Sequence, residues 1–442
     1  MSGQWVTQFT NCRILKEHQL IKEDVWVRGG KIIDPGPLFF GDRKNADQKI
    51  DCGGNILAPG FIDLQINGAF GVDFSYDVVD EESGAEVVGK VGKGILAHGV
   101  TSYCPTVVTS PPEVYHKVLP NIPRKQGGVH GATVLGVHVE GPFINKKKKG
   151  AHPEQHILAP ETGMKAVEAM YGPGFVNVAM ITLGPELAGA MEVVEGCVER
   201  GVCVSLGHTM AELSQGEEAV RRGARMVTHL FNAMQSFHHR DPGLVGLLTS
   251  EKLEGKRAWY GIIADGVHAH PAALRIAYKT NFENLVLVTD AILAMGFKDG
   301  RYRFGQQEIE VRGDKAYVAD TDTLTGSVAT MQSSITKFIK HSRCSIVEAL
   351  EAASLHPAQA MGIENKKGTL EYGSDADFVI LNPQDLSVQS TWIEGQCVFT
   401  IGGKTSTSSS QVAVHDSKQT TNTLETPFKQ PVNNLESALK RR

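Results

Sequence analysis

Leu57-Ala-Pro-Gly-Phe-Ile-Asp-Leu-Gln-Ile-Asn67 is where the texture of this chain changes. Before it, the residues read as short strands and turns, with candidate strands at 6–10, 25–28 and 31–34 separated by Gly and Pro. After it, short apolar runs alternate with longer amphipathic stretches to about residue 290, the pattern of βα units around a parallel sheet. The runs fall at 61–66, 101–107, 133–139, 175–182, 202–206, 225–230, 259–264 and 285–289. Helical patterns at 185–200, 211–222 and 271–279 lie between some of them. Eight strands with crossover helices are what a (β/α)8 barrel requires, so the predicted fold is α/β with a TIM barrel. A doubly wound open sheet is the competing arrangement.

Beyond the eighth run, 329–341 and 345–354 carry helical patterns, and 368–381 and 390–400 return to strands and turns. The two chain ends share that texture and are predicted to join into one small β-sandwich beside the barrel. The expected layout is residues 1–56 and 367–405 in the sandwich and 57–366 in the barrel. The tail at 406–442, rich in Ser, Thr, Lys, Gln and Asn with few large apolar residues, is expected to be disordered. No internal repeat is visible.

The 442 residues are 41% hydrophobic and 21% charged, ordinary for a globular protein. A formal charge of −5 exerts no global attraction on nucleic acid or an anionic membrane, and neither is expected as a partner. The seven cysteines include no C-x-x-C pair, which argues against a disulfide framework and a thiolate zinc site. The opening Met-Ser-Gly-Gln-Trp-Val has no signal-peptide pattern, and no stretch reaches the ~18 apolar residues of a membrane span. A cytosolic, reducing location is expected.

In a parallel barrel the C-terminal ends of all strands face one mouth. Run three ends at Glu140, run five at His208, run six contains His229, and run eight ends at Asp290. Run one carries Asp63, Gln65 and Asn67, and run seven is followed by Asp265-Gly-Val-His268. Runs two and four end in the less distinctive Thr106 and Thr182. Buried carboxylates and imidazoles are costly unless paired or bound to metal. Two His and one Glu suffice for a catalytic ion with a coordination position open to water. Such an ion generates hydroxide near neutral pH, and Asp290 would accept and later deliver the proton. One strand-end His alone is usually structural; four ionisable residues at four strand ends favour a metal-dependent hydrolase.

Other features read as ordinary. Residues 146–149 are a lysine run of the kind found on solvated loops. His152-Pro-Glu-Gln-His156 lacks the H-E-x-x-H order, and Ile401-Gly-Gly-Lys-Thr405 lacks the first glycine of a phosphate loop, where Val398 stands. His238-His239 reads as a surface pair.

His138-Val-Glu-Gly-Pro-Phe143, Lys149-Gly-Ala-His152, Gly207-His-Thr209, Thr228-His-Leu-Phe-Asn-Ala-Met234, Ala264-Asp-Gly-Val-His268 and Val288-Thr-Asp-Ala291 together resemble the N-acetylglucosamine-6-phosphate deacetylase family of the amidohydrolase superfamily. The resemblance runs from about Val6 to Gly403 and leaves the polar tail unexplained. It implies a barrel flanked by a β-sandwich, a homodimer, and one divalent ion per subunit on Glu140, His208 and His229, with Asp290 as acid/base. It implies that His152 hydrogen-bonds the acetyl carbonyl and that Gln65, Ala151, Asn232, Ala233 and His268 line the sugar-phosphate site. Arg240 resembles the arginine that reaches the partner's phosphate, and Leu324-Thr325-Gly326 a loop closing over substrate.

Many superfamily members carry H-x-H after strand one for a second metal, where this chain has Gln65-Ile-Asn67. Run four does not end in a lysine either. Both point to one metal and away from cyclic amidases. The ion is expected to be Zn, with Fe, Co, Ni or Mn also compatible with the donor set. Another amidase or deaminase of the superfamily, or an inactive scaffold, are the alternative readings.

Overall fold

The structure is a computed structural model and describes residues 5–38, 45–304, 307–321 and 324–402; the expected disordered tail lies outside the described residues. All eight apolar runs form strands at the barrel: β1 Phe61–Ile66, β2 Val100–Val108, β3 Val137–Glu140, β4 Val178–Leu183, β5 Cys203–Leu206, β6 Met226–Val227, β7 Trp259–Ile263 and β8 Leu285–Val288. Each pairs in parallel with the next. Their side chains are buried almost throughout, which explains why these strands read as continuous apolar runs rather than alternating ones.

The seam between β1 and β8 closes in two ways. At the mouth the Asp290 amide donates to Gln65 O (2.9 Å) and the Asn67 amide to Ala291 O (2.8 Å). Lower down, the Ile62 and Leu287 amides donate to the carbonyls of Ala353 and Ala352, a turn between the helices Ile346–Glu351 and Leu355–Met361 that lies in the gap. Run three is split into Thr133–Val134 and β3. Gly136 divides them at φ +128°, where a Cβ would sit 2.7 Å from that of Ala179.

Helices Glu81–Leu96, Ala190–Glu199, Leu213–Arg221, Pro271–Asn281 and Met331–Ser342 pack around the strands. The helix expected from residue 185 starts only at Ala190, because Gly189 stands in the left-handed region at its N-cap. Capping boxes at Asp80/Ser83, Thr330/Ser333 and Ser345/Glu348 define three other starts.

After β8 the sequence reading missed an antiparallel sheet of Gly300–Phe304, Gln307–Arg312, Lys315–Val318 and Leu324–Ser327. Its charged outward residues obscure the alternation, of which Ile309, Val311 and Ala316 form the buried side. Leu324-Thr325-Gly326, expected as a loop, is its last strand. That strand is tied back to the mouth by the Ile292 amide donating to Ser327 O (2.9 Å).

The chain ends meet as expected. One sheet holds Val6–Thr10, Val25–Arg28, Lys31–Ile32 and Gln48–Asp51. A second holds Arg13–Lys16, Gln19–Ile21, Ile56–Pro59, Phe378–Leu381, Val388–Ile393 and Gln396–Thr400, with Ile56–Pro59 antiparallel to Phe378–Leu381. The texture change at Leu57 therefore falls in a strand of this sheet, which turns at Gly60 straight into β1. A Cβ on Gly60 would meet the Thr101 side chain at 2.1 Å. Phe9 from the first sheet stands edge-on to Phe378 and Trp392 of the second, with centroids 4.8 and 4.9 Å away. Phe9 is fully buried, and Phe9→Ala is expected to lower unfolding free energy by about 3–5 kcal/mol, measured by denaturant titration.

Candidate active site

Glu140 is the last residue of β3, and His208, His229 and Asp290 follow the ends of β5, β6 and β8. Glu140 Oε1, His208 Nε2 and His229 Nε2 form a triangle: 3.3 Å from Glu140 to His208, 3.1 Å to His229, and 3.1 Å between the imidazoles. All three residues are buried. The His208 Nδ1 lies 2.8 Å from Lys148 O, a pure acceptor, so Nδ1 carries the proton and Nε2 turns its lone pair inward. Atoms at these separations share either a proton, as in a hydrogen bond from His229 to Glu140, or a cation. A point central to them is roughly 2 Å from each, the ligand distance of a first-row divalent ion. Burial alone would raise the Glu140 carboxyl, but the two histidines hold it well below the usual range. Burial opposes a charge on His229, while Glu140 raises it to about 8.

The backbone at this mouth is unusual. His208, His229 and Asp290 have φ of 49°, 28° and 47°, and Phe231 and Ala233 have 77° and 50°. Non-glycine residues in this region carry strain of about 1–3 kcal/mol each, offset by the surrounding ladder. The Leu230 amide donates to Gly261 O (2.8 Å), Thr209 to Ala233 O (3.1 Å) and Asp290 to Gln65 O. The left-handed turn takes the chain off the strand at the residue whose side chain enters the mouth. It also explains why β6 stops at Val227, short of the apolar run.

His152 comes from the loop after β3, with Nε2 3.9 Å from Glu140 Oε2. Glu140, His152 and His208 can also be grouped as metal donors within 4.8 Å of one another. The triangle with His229 is the tighter set. His152 Nδ1 is held by Thr109, whose hydroxyl lies at 2.8 Å and whose amide lies at 3.3 Å. Burial lowers His152 to about 3, so its ring stays neutral. Gln65 Nε2 donates to Glu140 Oε1 (3.0 Å), and Asn67 Nδ2 to Asp290 Oδ1 (2.8 Å). Burial, with the facing Glu140 charge, raises Asp290 to about 6.

His268 Nδ1 lies 2.6 Å from Asp265 Oδ2, while Asp265 Oδ1 accepts the Val267 and His268 amides. That turn leaves His268 Nε2 without a hydrogen-bond partner among the described residues. Asn232 and Ala233 are half-buried, and Ala151 and Arg240 are exposed, Arg240 at the end of an exposed run that includes Phe237, 64% accessible. Gly326 is half-buried in the insert strand. The setting-aside of other motifs agrees with their surroundings: Lys146–Lys148 and Glu154–His156 are short 3-10 turns, and His238 and His239 are exposed.

The supporting roles of several residues escaped the sequence reading. Glu186, beyond β4, accepts Asn145 Nδ2 (2.9 Å), the Met210 amide (2.7 Å) and Thr209 Oγ1, stitching three mouth loops together. Below the triangle, His138 Nε2 lies 2.8 Å from Thr182 Oγ1, which meets Thr228 Oγ1 at 2.7 Å, which meets Ser205 Oγ at 2.6 Å. Asp63 accepts Thr289 Oγ1 at 2.6 Å across the seam. Polar residues inside apolar runs were the available signal; their partners are distant in sequence. Surface cavities of about 650 Å³, beside Cys12 and Trp26, and 350 Å³, beside Leu135 and Lys366, lie away from this mouth. Neither is lined by the strand-end residues.

The amidohydrolase family profile matches residues 56–398. N-acetylglucosamine-6-phosphate deacetylase of Homo sapiens is 57% identical over 400 residues, 90% of this chain and 97% of that protein. The Caenorhabditis elegans protein of that name is 49% identical over 398 residues, 89% and 94% of the two chains. Among solved structures, the deacetylase from Pasteurella multocida superposes with TM-score 0.75 at 30% identity, covering 89% of this chain and 99% of its own. A point mutant of the Mycobacterium smegmatis deacetylase, in complex with N-acetyl-D-glucosamine-6-phosphate, superposes with TM-score 0.74 at 29% identity, covering 90% and 100%.

The two ways of grouping the donors differ in a measurable way. His229→Ala is expected to reduce bound divalent metal from about one ion per chain to a small fraction of that, because one of three donors is lost, whereas His152→Ala retains it; elemental analysis after dialysis checks both. Metal loss in His152→Ala with retention in His229→Ala would reverse the assignment. By motif order, strand-end residues, fold and relatives alike, this chain belongs to the amidohydrolase family and, within it, to the N-acetylglucosamine-6-phosphate deacetylases.

Proposed function

We propose that this chain hydrolyses the N-acetyl amide of N-acetyl-D-glucosamine 6-phosphate to D-glucosamine 6-phosphate and acetate. The observation that carries the reading is the convergence of Glu140, His208, His229 and Asp290 on one buried barrel mouth. The substrate follows from relatives named for that reaction at 49–57% identity and from the sugar phosphate in the Mycobacterium smegmatis complex.

Glu140, His208 and His229 would hold one divalent ion, which acidifies water and polarises the acetyl carbonyl. Zinc suits two imidazoles and a carboxylate; Fe, Co, Ni and Mn suit them as well. Asp290 takes the proton from the attacking water as the new C–O bond forms. His152 Nε2–H donates to the carbonyl oxygen as negative charge develops there. Asp290 then returns the proton to the amide nitrogen as the C–N bond breaks, so the amine leaves neutral and the acetyl group keeps the water oxygen. His268 Nε2, Asn232 and the backbone at Ala151 and Ala233 bind the sugar and phosphate, with Leu324, Thr325 and Gly326 covering them and Gln65 steadying Glu140. Exposed Arg240, beside exposed Phe237, completes the phosphate site of a second subunit in a homodimer. Seven free thiols agree with a reducing cytosolic location.

Purified protein is expected to release acetate from N-acetylglucosamine 6-phosphate, to stop on chelation, and to act far more weakly on the unphosphorylated sugar. Asp290→Asn is expected to keep its metal and lose about a hundred- to ten-thousand-fold in kcat. Bound metal without acetate release by the native enzyme would point to another amide or amine substrate, and full activity in Asp290→Asn would remove the aspartate from the mechanism.

A further inference from the structure

We infer that Asn67 is the positioning residue for Asp290: its side-chain amide clamps one carboxylate oxygen and so assigns proton transfer to the other. The inference rests on the reading of Asp290 as the proton carrier. Asn67 is buried just past the end of β1, and its Nδ2 donates to Asp290 Oδ1 at 2.8 Å. The orientation of the amide is forced by chemistry, since turning it over would set two oxygens against each other.

The two residues are also locked through the main chain. The Asn67 amide donates to Ala291 O (2.8 Å), the Asp290 amide donates to Gln65 O (2.9 Å), and Asn67 O accepts the Phe74 amide (3.0 Å). Thr289, just before Asp290, is anchored to Asp63 on β1 through its amide (3.2 Å) and its hydroxyl (2.6 Å). The aspartate's backbone is therefore held from both sides, in a left-handed conformation that brings its side chain into the mouth. What the backbone leaves open is rotation of the carboxyl group, and Asn67 is the side chain that stops it.

Nothing else in the described fold uses this side chain. Asn67 Oδ1 is buried and has no protein partner, so the one hydrogen bond of the amide is the one to Asp290. A residue kept for packing or for the seam would satisfy both ends of its amide or be apolar. Gln65, two positions earlier on the same strand, does the equivalent for Glu140. The positions where other superfamily members bring two metal-binding histidines are thus occupied by two amides, each aligning one carboxylate of the site.

Asn67→Leu keeps the shape and removes the donor. The expected result is a fall in kcat of roughly ten- to a hundred-fold, as for loss of a hydrogen bond to a charged group, with KM, metal content and melting temperature unchanged. In an Asp290→Asn background the same substitution is expected to have no further effect on residual turnover, because Asn67 acts through the aspartate. Native kcat in Asn67→Leu, or an equal fold-loss in both backgrounds, would overturn the inference. A crystal structure of Asn67→Leu decides the point without substrate: the Asp290 carboxyl is expected to turn from its native orientation while Glu140, His208 and His229 stay in place. An unmoved Asp290 refutes the clamp. If the native enzyme releases no acetate, the functional reading fails, and that structure still answers for Asn67.

Discussion

A carboxylate oxygen and two imidazole nitrogens held 3.1–3.3 Å apart, out of contact with water, are the constraint around which this molecule is arranged. Each has been stripped of solvent. Such a group is stable only with a proton or a cation between its members. The surroundings supply what fixes the geometry: Lys148 O sets the His208 tautomer, and Gln65 Nε2 occupies an outer direction of Glu140. Among the described residues, His229 Nδ1 is buried without a protein partner.

A parallel barrel suits this task because its strand ends converge while its interior is packed solid. Below the triangle lies a polar layer of His138, Thr182, Thr228 and Ser205, whose mutual hydrogen bonds satisfy these buried side chains. Above it, left-handed residues at three of the four strand ends lift the side chains into the mouth. That strain is borne by the barrel ladder and by the Glu186 bonds that tie the loops together. The sandwich contributes in another way. Its strand Ile56–Pro59 runs directly into β1, so the origin of the strand carrying Gln65 and Asn67 is fixed by the packing of Phe9, Phe378 and Trp392.

Two neighbouring histidines beside Glu140 are held by different partners. His208, donating from Nδ1 to a carbonyl, offers a lone pair at Nε2. His152 is held at Nδ1 by the hydroxyl and amide of Thr109, at 2.8 and 3.3 Å. The chemistry of each ring is decided at the nitrogen pointing away from the site. The same holds for the carboxylates: Glu140 and Asp290 are both buried, but Glu140 faces imidazoles and stays ionised, whereas Asp290 faces the Glu140 charge and is raised to about 6. One carboxylate is suited to hold a cation and the other to carry a proton.

Much of this was legible in the chain itself. Strands buried on both faces must be apolar throughout, so the eight runs declare themselves, and an ionisable residue closing such a run stands out because burial would otherwise exclude it. Glu140, His208, His229 and Asp290 were visible for that reason, and the matching texture of the two chain ends marked the sandwich. The antiparallel insert after β8 was not legible, because half of each strand faces water and its charged residues mask the alternation. Tautomers, carboxylate alignment and the split between donor and ligand were also beyond the sequence. They depend on pairs such as Thr109 with His152 or Asn67 with Asp290, 43 and 223 positions apart. Local physical chemistry determined which residues line the mouth; only folding, by bringing distant hydrogen-bond partners to the nitrogens and oxygens that face away from it, decided what each of them can do.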